Sequence, residues 1–327
     1  MISTHTCAKL AFFYLFLLVL ISACDNTDDD PNADFNRRLE EQRAQIETII
    51  AENNINAVPT NGYYLEVLSE NPSGEEPELN DALAVYYQME TLDGNPIAEL
   101  SATAGDEPDI VPFNRDRIVA PLALYDVLAG MRTGEEVRVY MPFNTAYGAY
   151  GITDLLPAYS FVILKIRLEE VLTPAALKQR QDARIKKYLA DNNLLPADSL
   201  EGGVYYHQLE AGQAPEVKPE SEIQIRYTGR MLGGFVFDSN VGSTTPLPAK
   251  LSEDSFVPGF ETALLAMSQN ERGITVFPAD QGYGPDFYAM PDTVSNDFLS
   301  RNLRVGNNRF FGAYKPLRFD LSVESVN

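Results

Sequence analysis

Apolar residues recur at helical spacing in two separate stretches of the chain. In residues 35–53, apolar positions such as Ile46 fall on one side among Arg, Glu and Gln residues, which predicts an amphipathic helix. Residues 173–193 begin with Thr173-Pro174, a suitable N-cap and first-turn pair, and then carry apolar residues on one side. Two long helices are therefore expected, one before each half of the remaining chain.

Runs of β-branched and aromatic residues predict strands after each of these helices. The predicted strands are 84–87, 136–141 and 160–168 in the first half, and 203–210, 222–232, 272–277 and 316–325 in the second. One short helix is predicted within each set, at 122–131 and at 260–267. An antiparallel sheet wrapped around one short helix is an α+β arrangement, and we expect it twice.

The two halves resemble each other in sequence. Residues 46–55 (IETIIAENNI) are similar to residues 185–194 (IKKYLADNNL), at an offset of 139 positions. The similarity continues in further matched positions: Gly62-Tyr63-Tyr64 with Gly203-Val204-Tyr205, Tyr87 with Tyr227, Met131 with Met267, and Tyr147 with Tyr283. This internal duplication predicts two domains, at 57–171 and 197–327, joined by a helical linker at 172–196.

The first residues have the pattern of a targeting segment. Lys9 precedes an apolar run from Leu10 to Ile21, which is shorter than the roughly 20 residues of a membrane-spanning helix. The run ends in small residues before Cys24, which resembles the bacterial lipobox. The resemblance implies removal of residues 1–23 and lipidation of Cys24; the alternative is an uncleaved anchor.

Residues 24–56 are predicted to form an acidic tether followed by the first helix. The acidic run at 25–31 lacks the Gly and Glu positions of an EF-hand loop, so a calcium site is not expected. The run also resembles the surface-export signal of Bacteroidetes lipoproteins, with a periplasm-facing anchor as the alternative. The predicted location is the cell envelope, lipid-anchored to a bacterial membrane and in particular the outer membrane.

Composition excludes several classes of function. A net charge of −22, from 25 basic and 47 acidic residues, argues against binding to nucleic acid and to anionic membrane surfaces. The cysteines, Cys7 and Cys24, both precede the folded part, which therefore has no disulfide and no thiolate metal site. Outside the leader, His207 is the one histidine and is expected on the solvent-facing side of a strand. We expect neither a metal nor a cofactor.

The second half brings aromatic rings, one acid and one phenol together in sequence order. The segments are Ile225–Gly229, Phe237-Asp238-Ser239, Phe256–Phe260, Gly282-Tyr283-Gly284 and Leu317–Asp320. They contain no nucleophile beside a base and no cluster of metal ligands. Their order and spacing resemble an FKBP-type peptidyl-prolyl cis-trans isomerase.

The resemblance implies roles for seven residues and a catalysis that needs no covalent step. Tyr227, Phe237 and Phe319 match aromatic walls, and Phe260 matches an aromatic floor. Asp238 matches an acid beside the wall. Val257 matches the residue whose backbone N–H receives a peptide carbonyl, and Tyr283 matches a phenol that donates to a ligand carbonyl. Three further residues are expected to contact substrate: Leu247, Phe256 and Phe311.

The first half keeps only part of this set. Two tyrosines remain, and the other matched positions have changed: Tyr87 and Tyr147 are retained, whereas Ile97-Ala98, Leu124, Pro121 and Leu164 stand at the positions of Phe237-Asp238, Phe260, Val257 and Phe319. Proline has no N–H to donate. The first domain is therefore expected to be a scaffold or binding unit that keeps the fold without the catalytic site.

The second half also carries an insertion at 285–312. From Tyr283 to Phe319 is 36 residues, whereas from Tyr147 to Leu164 is 17. We expect a long loop there that grips substrate, docks a partner or covers the pocket. The alternative is an insertion without function.

Two functions follow from these patterns. The first is a prolyl isomerase that assists the folding of exported proteins and binds their proline-containing segments, with Cys24 anchoring it to the membrane. The second is a non-catalytic, chaperone-like or structural lipoprotein of an envelope assembly, such as one for gliding motility. The oligomeric state stays open.

Overall fold

The computed structural model describes residues 32–327, apart from 116–117, 153–154, 252–255, 286, 306–307 and 310. The predicted leader, Cys24 and the acidic run lie outside the described residues. The described chain separates into two units, one ending at Glu47 and the other running from Thr48 to Asn327. Among the described helices, none has the length and apolar character needed to cross a membrane.

A long helix precedes the first copy of the domain, as predicted. Within the described residues the elements up to the end of this copy are α1 (Ala33–Glu52), β1 (Ala57–Thr60), β2 (Tyr63–Ser69), β3 (Ala82–Glu90), β4 (Pro96–Leu100), β5 (Asp109–Pro112), β6 (Ile118–Ala120), α2 (Leu124–Ala129), β7 (Glu136–Met141) and β8 (Val162–Leu172).

The linking helix and the second copy follow. Their described elements are α3 (Pro174–Asp191), β9 (Asp198–Ser199), β10 (Tyr205–Glu210), β11 (Gln213–Glu216), β12 (Glu222–Met231), β13 (Val236–Ser239), β14 (Leu247–Lys250), α4 (Pro258–Leu265), β15 (Ser268–Gln269), β16 (Arg272–Phe277), β17 (Phe287–Ala289), α5 (Asp292–Ser300), β18 (Arg304–Val305), β19 (Asn308–Arg309) and β20 (Leu317–Val326).

Both copies build the same sheet. The strand order is β1-β2-β7-β8-β3-β4 in the first copy, with β5 also pairing with β3. In the second copy it is β9-β10-β16-β20-β12-β13, with β14 also pairing with β12. Each strand therefore has a counterpart at the same place, and the pairs within both sheets are antiparallel. The α+β architecture with two similar domains is confirmed.

The two long helices end in the same way. Each runs into an Asn-Asn pair, in which Asn54 and Asn193 adopt left-handed backbone angles, with φ of 52° and 56°. Asparagine tolerates this conformation better than most residues, so the pair ends the helix. Helix α3 then packs on the second sheet, where Ile185 and Leu189 are buried with Ile274.

Each sheet covers its own short helix. Along β20 the residues Leu317, Phe319, Leu321 and Val323 are buried and alternate with more exposed positions, as expected for a strand with one face on the core. They pack with residues of α4 such as Phe260 in one apolar cluster.

The insertion is the part of the fold that the sequence pattern described wrongly. The expected long loop at 285–312 instead contains β17, α5 and the paired strands β18 and β19. Strand β17 pairs in parallel with β6 of the first copy, from Phe287 opposite Ile118 to Ala289 opposite Ala120. Backbone N–H and C=O groups of the insertion therefore form hydrogen bonds with the first copy. The segment can adopt regular secondary structure because these groups have partners outside their own copy.

Candidate functional site

Four aromatic rings of the second copy meet around Phe319 on β20. The ring centroid of Phe319 lies 4.9 Å from Phe260, 5.5 Å from Phe237 and 6.3 Å from Tyr227. Phe277 stacks on Phe319 at 5.6 Å and an angle of 13°. The edge-to-face and tilted contacts are the favoured arrangements of aromatic pairs. The structure therefore brings the predicted walls and floor together.

A glycine makes room for these rings. Gly229 on β12 pairs with Phe319 on β20. A Cβ atom at residue 229 would lie 2.6 Å from Cε2 of Phe237 and 2.7 Å from Cε1 of Phe319. No side chain fits at those distances, so the two rings occupy the space beside the strand. Sequence reasoning did not single out Gly229.

The predicted acid lies at the mouth of the ring cluster. Asp238 is exposed on β13, next to the buried Phe237. The Tyr227 hydroxyl donates a hydrogen bond to Oδ2 of Asp238 at 3.2 Å. This bond fixes the direction of the Tyr227 phenol and places a carboxylate beside the aromatic walls.

The start of α4 supplies the floor and a backbone donor. Val257 is the N-cap residue, and Phe260, only 3% exposed, stands edge-on to Tyr227 at 5.7 Å. Among the described residues the Val257 N–H has no hydrogen-bond acceptor. The predicted substrate contact Phe256 packs on Phe260 at 4.9 Å. A carbonyl group could therefore reach a backbone N–H at a helix start, where the helix dipole favours it.

The phenol of Tyr283 stands at the open side. Tyr283 is 39% exposed, and its ring stacks on Phe311 at 3.6 Å with an angle of 5°. Phe311 also meets Phe237 edge-on at 5.0 Å, so it forms one wall of the slot. Leu247 lies on β14 opposite Ile225 and is 37% exposed; its contact with substrate stays a prediction.

The arrangement suits binding of a small apolar ring with an attached carbonyl. The site joins apolar walls to one carboxylate, two phenols and one backbone N–H. No cluster of three or more metal-ligating residues occurs in the described part of the chain. His207 was expected to face solvent, but it is half-buried, and its Nδ1 lies 2.8 Å from the Pro196 carbonyl oxygen.

Equivalent hydrogen bonds establish how the two copies align at the short helix. The Leu124 N–H donates to the Pro121 carbonyl at 3.0 Å, just as the Phe260 N–H donates to the Val257 carbonyl at 3.0 Å. Pro121 therefore occupies the position of Val257, and the first copy lacks that N–H.

Aliphatic side chains fill the ring space of the first copy. Met89 pairs with Leu164 as Gly229 pairs with Phe319 in the second copy. Ala98 stands opposite Met89, at the position of the missing acid. Met89 and Leu164 are fully buried. Met89 is larger than Gly229 at the matched strand position, and its side chain fills the volume that aromatic rings occupy in the second copy.

One of the two tyrosines retained in the first copy, Tyr147, binds the insertion. The Tyr147 hydroxyl donates to the Met290 carbonyl oxygen at 2.5 Å, and the Met290 N–H donates to the Ala120 carbonyl at 2.9 Å. Pro291 beside it is buried. Complete burial raises the pKa of the Tyr147 phenol, which stays a donor at neutral pH. Sequence reasoning missed this contact; the aromatic density of 287–298 was its only signal.

A buried charge group fastens the insertion a second time. The Asp109 carboxylate accepts from the Tyr288 hydroxyl at 2.8 Å and from Nζ of Lys315 at 2.5 Å. Lys315 also lies 2.9 Å from Asp292. Burial alone would lower the pKa of Lys315, but the carboxylates of Asp109 and Asp292 outweigh it and raise that pKa. Lys315 is therefore charged at neutral pH.

Comparison with known proteins establishes the class. The family model described as FKBP-type peptidyl-prolyl cis-trans isomerase matches twice, at residues 73–169 and 214–323. The chain belongs to this family, with one match in each copy of the domain.

The relatives found by sequence comparison share only part of their length with this chain. A peptidyl-prolyl cis-trans isomerase of Saccharomyces cerevisiae is 28% identical over 144 residues, which are 44% of this chain and 32% of the yeast protein. FK506-binding protein 2 of Dictyostelium discoideum is 33% identical over 89 residues, 27% of this chain and 65% of that protein. The solved structure of the three FKBP domains of wheat FKBP73 is 15% identical, with a TM-score of 0.32; the match covers 81% of this chain and 94% of the wheat chain.

Proposed function

We propose that the second copy catalyses the cis-trans isomerisation of peptide bonds that precede proline. The observation that carries this proposal is the ring cluster around Phe319, with the Tyr227–Asp238 hydrogen bond, the Val257 N–H and the Tyr283 phenol beside it. Membership of the FKBP-type isomerase family supports the same conclusion.

The chemistry requires little more than a shaped and dry slot. Rotation about a peptide bond meets a barrier of about 18–20 kcal/mol because the amide loses its resonance. A twisted amide is less polar than a planar one, so apolar walls favour it over the ground state. Hydrogen-bond donors already fixed near the carbonyl, such as the Val257 N–H and the Tyr283 hydroxyl, stabilise the twisted amide without having to change their own positions.

We further propose that the substrates are proline-containing segments of exported proteins. The support is the pattern of residues 1–24, in which an apolar run precedes Cys24. A lipid on Cys24 would hold both domains at a bacterial membrane, in the cell envelope. Mass spectrometry of the protein purified from membranes tests this: a lipidated N-terminal Cys24 is expected, and an intact residue 1–23 segment would contradict it.

The isomerase proposal is tested with the lipid-free two-copy chain and a short Xaa-Pro peptide. Tyr283→Phe removes a donor and is expected to lower kcat/KM by about 10²-fold, as such losses do elsewhere. Asp238→Ala is expected to lower it about tenfold or more, because the Tyr227 phenol loses its charged hydrogen-bond acceptor. The matched control is Asp198→Ala, an exposed aspartate on β9, which should keep the wild-type rate. A folded wild-type chain with no rate above background would overturn the proposal.

The non-catalytic alternative was favoured by the altered first copy and by an aromatic insertion that could dock a partner. Those aromatic residues of the insertion whose side chains the structure describes are buried: Phe287 is 9% exposed, Tyr288 2%, Phe298 6% and Phe311 4%. They offer no exposed aromatic surface to a partner. The catalytic proposal is therefore the one that the geometry supports best.

A further inference from the structure

The insertion contributes side chains to the cores of both copies. Tyr288, Met290, Val294 and Phe298 lie in the apolar cluster of the first copy. Phe311 lies in the cluster of the second copy, as does Leu299 on the same helix as Val294 and Phe298. One segment is therefore shared between the two domains.

Its first part lies in the slot of the first copy in the manner of a bound peptide. Strand β17 adds to β6 in parallel, and the Met290 N–H and carbonyl are bonded to Ala120 and Tyr147. Strand addition with main-chain hydrogen bonds is a common way for a domain to hold an extended peptide. The first copy thus holds a segment of its own chain where the second copy holds none among the described residues.

Its second part forms a wall of the other slot. Phe311 stacks on Tyr283 and meets Phe237, as described above. The neighbouring Gly312 forms a backbone bridge with Phe287 of β17. Lys315, three residues further on, is bound to Asp109 of the first copy. Phe311 is therefore held by segments that are themselves fastened to the first copy.

We propose that the first copy is an intramolecular peptide-binding unit that holds residues 287–291 and thereby positions Phe311 in the slot of the second copy. Tyr147, Asp109 and Lys315 are positioning residues in this scheme. The part that concerns substrate rests on the isomerase function proposed above. The part that concerns the held segment stands on the contacts alone.

Hydrogen exchange with mass spectrometry tests the held segment in the lipid-free two-copy chain. Amides of 287–291 are expected to be protected, and Tyr147→Phe is expected to speed their exchange about three- to tenfold, the effect of losing one hydrogen bond. Exchange at 311–313 should rise in the same variant. The control is Tyr140→Phe in the same copy, whose hydroxyl donates to Glu66 at 3.4 Å.

Two results of this experiment would overturn the proposal. One is exchange of 287–291 in the wild type at the rate of an unstructured chain. The other is a Tyr147→Phe variant in which 287–291 loosens while 311–313 stays unchanged, because the first copy would then hold the segment without positioning Phe311. Neither result depends on isomerase activity, so a catalytically inactive protein would contradict the proposed function and leave this measurement decisive.

Kinetics then test the positioning of Phe311. Phe311→Ala and Tyr147→Phe are each expected to raise KM for an Xaa-Pro peptide about three- to tenfold, the affinity equivalent of one aromatic contact, with kcat nearly unchanged. The double variant should show no more than the effect of Phe311→Ala, since both changes act on one wall. Additive effects, or a loss in kcat alone, would contradict a positioning role.

Discussion

At the scale of single residues, the difference between the two copies comes down to a few exchanges at matched positions. Gly229 and Phe319 in one copy correspond to Met89 and Leu164 in the other, and both pairs fill the same place between strand and helix. The exchange keeps a packed core while it removes the aromatic walls. The fold can therefore persist in a copy whose aromatic walls have been replaced by aliphatic side chains.

Gly229→Ala tests whether the glycine is needed for the slot. The added Cβ would meet two rings at 2.6–2.7 Å, so we expect a loss of about 1–3 kcal/mol in the free energy of unfolding and a displaced Phe237. Urea unfolding of the two-copy chain measures the first effect. The control is Gly233→Ala in the same hairpin, where a Cβ meets nothing within 4 Å. Equal stability of the two variants would show that the rings adjust freely.

The residues predicted for the slot could be found from the sequence because the order of the family's site residues along the chain reflects the positions of the strands that carry them. Phe260 and Phe319 lie on α4 and β20, which were expected near their observed places, whereas Phe237 lies on β13, a strand that was not predicted. Gly229 was not recognised, because a glycine within a strand indicates that another group packs closely against the backbone but does not show which group that is. Only the sheet register shows that its neighbour is Phe319.

At the scale of elements, the sequence predicted the helices and the central strands of both copies, missed shorter or edge strands such as β2, β4 and β13, and failed at the insertion. Its helix α5 has apolar residues on two sides, Val294 and Phe298 toward the first copy and Leu299 toward the second. A helix buried on two sides has no single apolar stripe and therefore no clear periodic signal. The partner strand β6 lies more than 160 residues earlier in the chain, and no local pattern indicates such a pairing.

Lys315→Ala tests how firmly the insertion is fastened. Asp109 is buried, with its side chain 3% exposed, and loses its cation in this variant. We expect a loss of about 3–5 kcal/mol in the free energy of unfolding, because removing one partner leaves a buried charge uncompensated. Lys250→Ala is the control, since its pair with Glu220 is exposed on both sides and screened by solvent, so a much smaller loss is expected. Similar losses for both lysines would contradict a buried anchor.

At the scale of the whole molecule, the two copies are joined by more than a linker. Helix α3 packs on the outer face of the second sheet, where the Ala279 N–H donates to Oε1 of Gln181 at 3.1 Å. The insertion of the second copy completes the core of the first. The two similar domains therefore depend on each other for burial, although each has its own sheet and short helix.

This dependence predicts that the second copy is incomplete when it is expressed alone. A fragment of residues 173–327 keeps α3 but exposes Tyr288, Met290, Val294 and Phe298, all nearly fully buried in the whole chain. At about 1.5–3 kcal/mol for each buried side chain, the lost burial is comparable to the roughly 5–15 kcal/mol stability of a whole protein. We expect the fragment to bind a hydrophobic dye and to unfold at a lower urea concentration than the two-copy chain.

A second fragment separates exposed apolar surface from a general loss of fold. In it, Tyr288, Val294 and Phe298 are each replaced by Ser, which should abolish dye binding while the circular dichroism of the second sheet is kept. If the unmodified fragment stays monomeric, binds no more dye than the two-copy chain and unfolds at the same urea concentration, the copies are independent. In that case the contacts between insertion and first copy contribute little to stability, and the slot of the second copy needs no help from its neighbour.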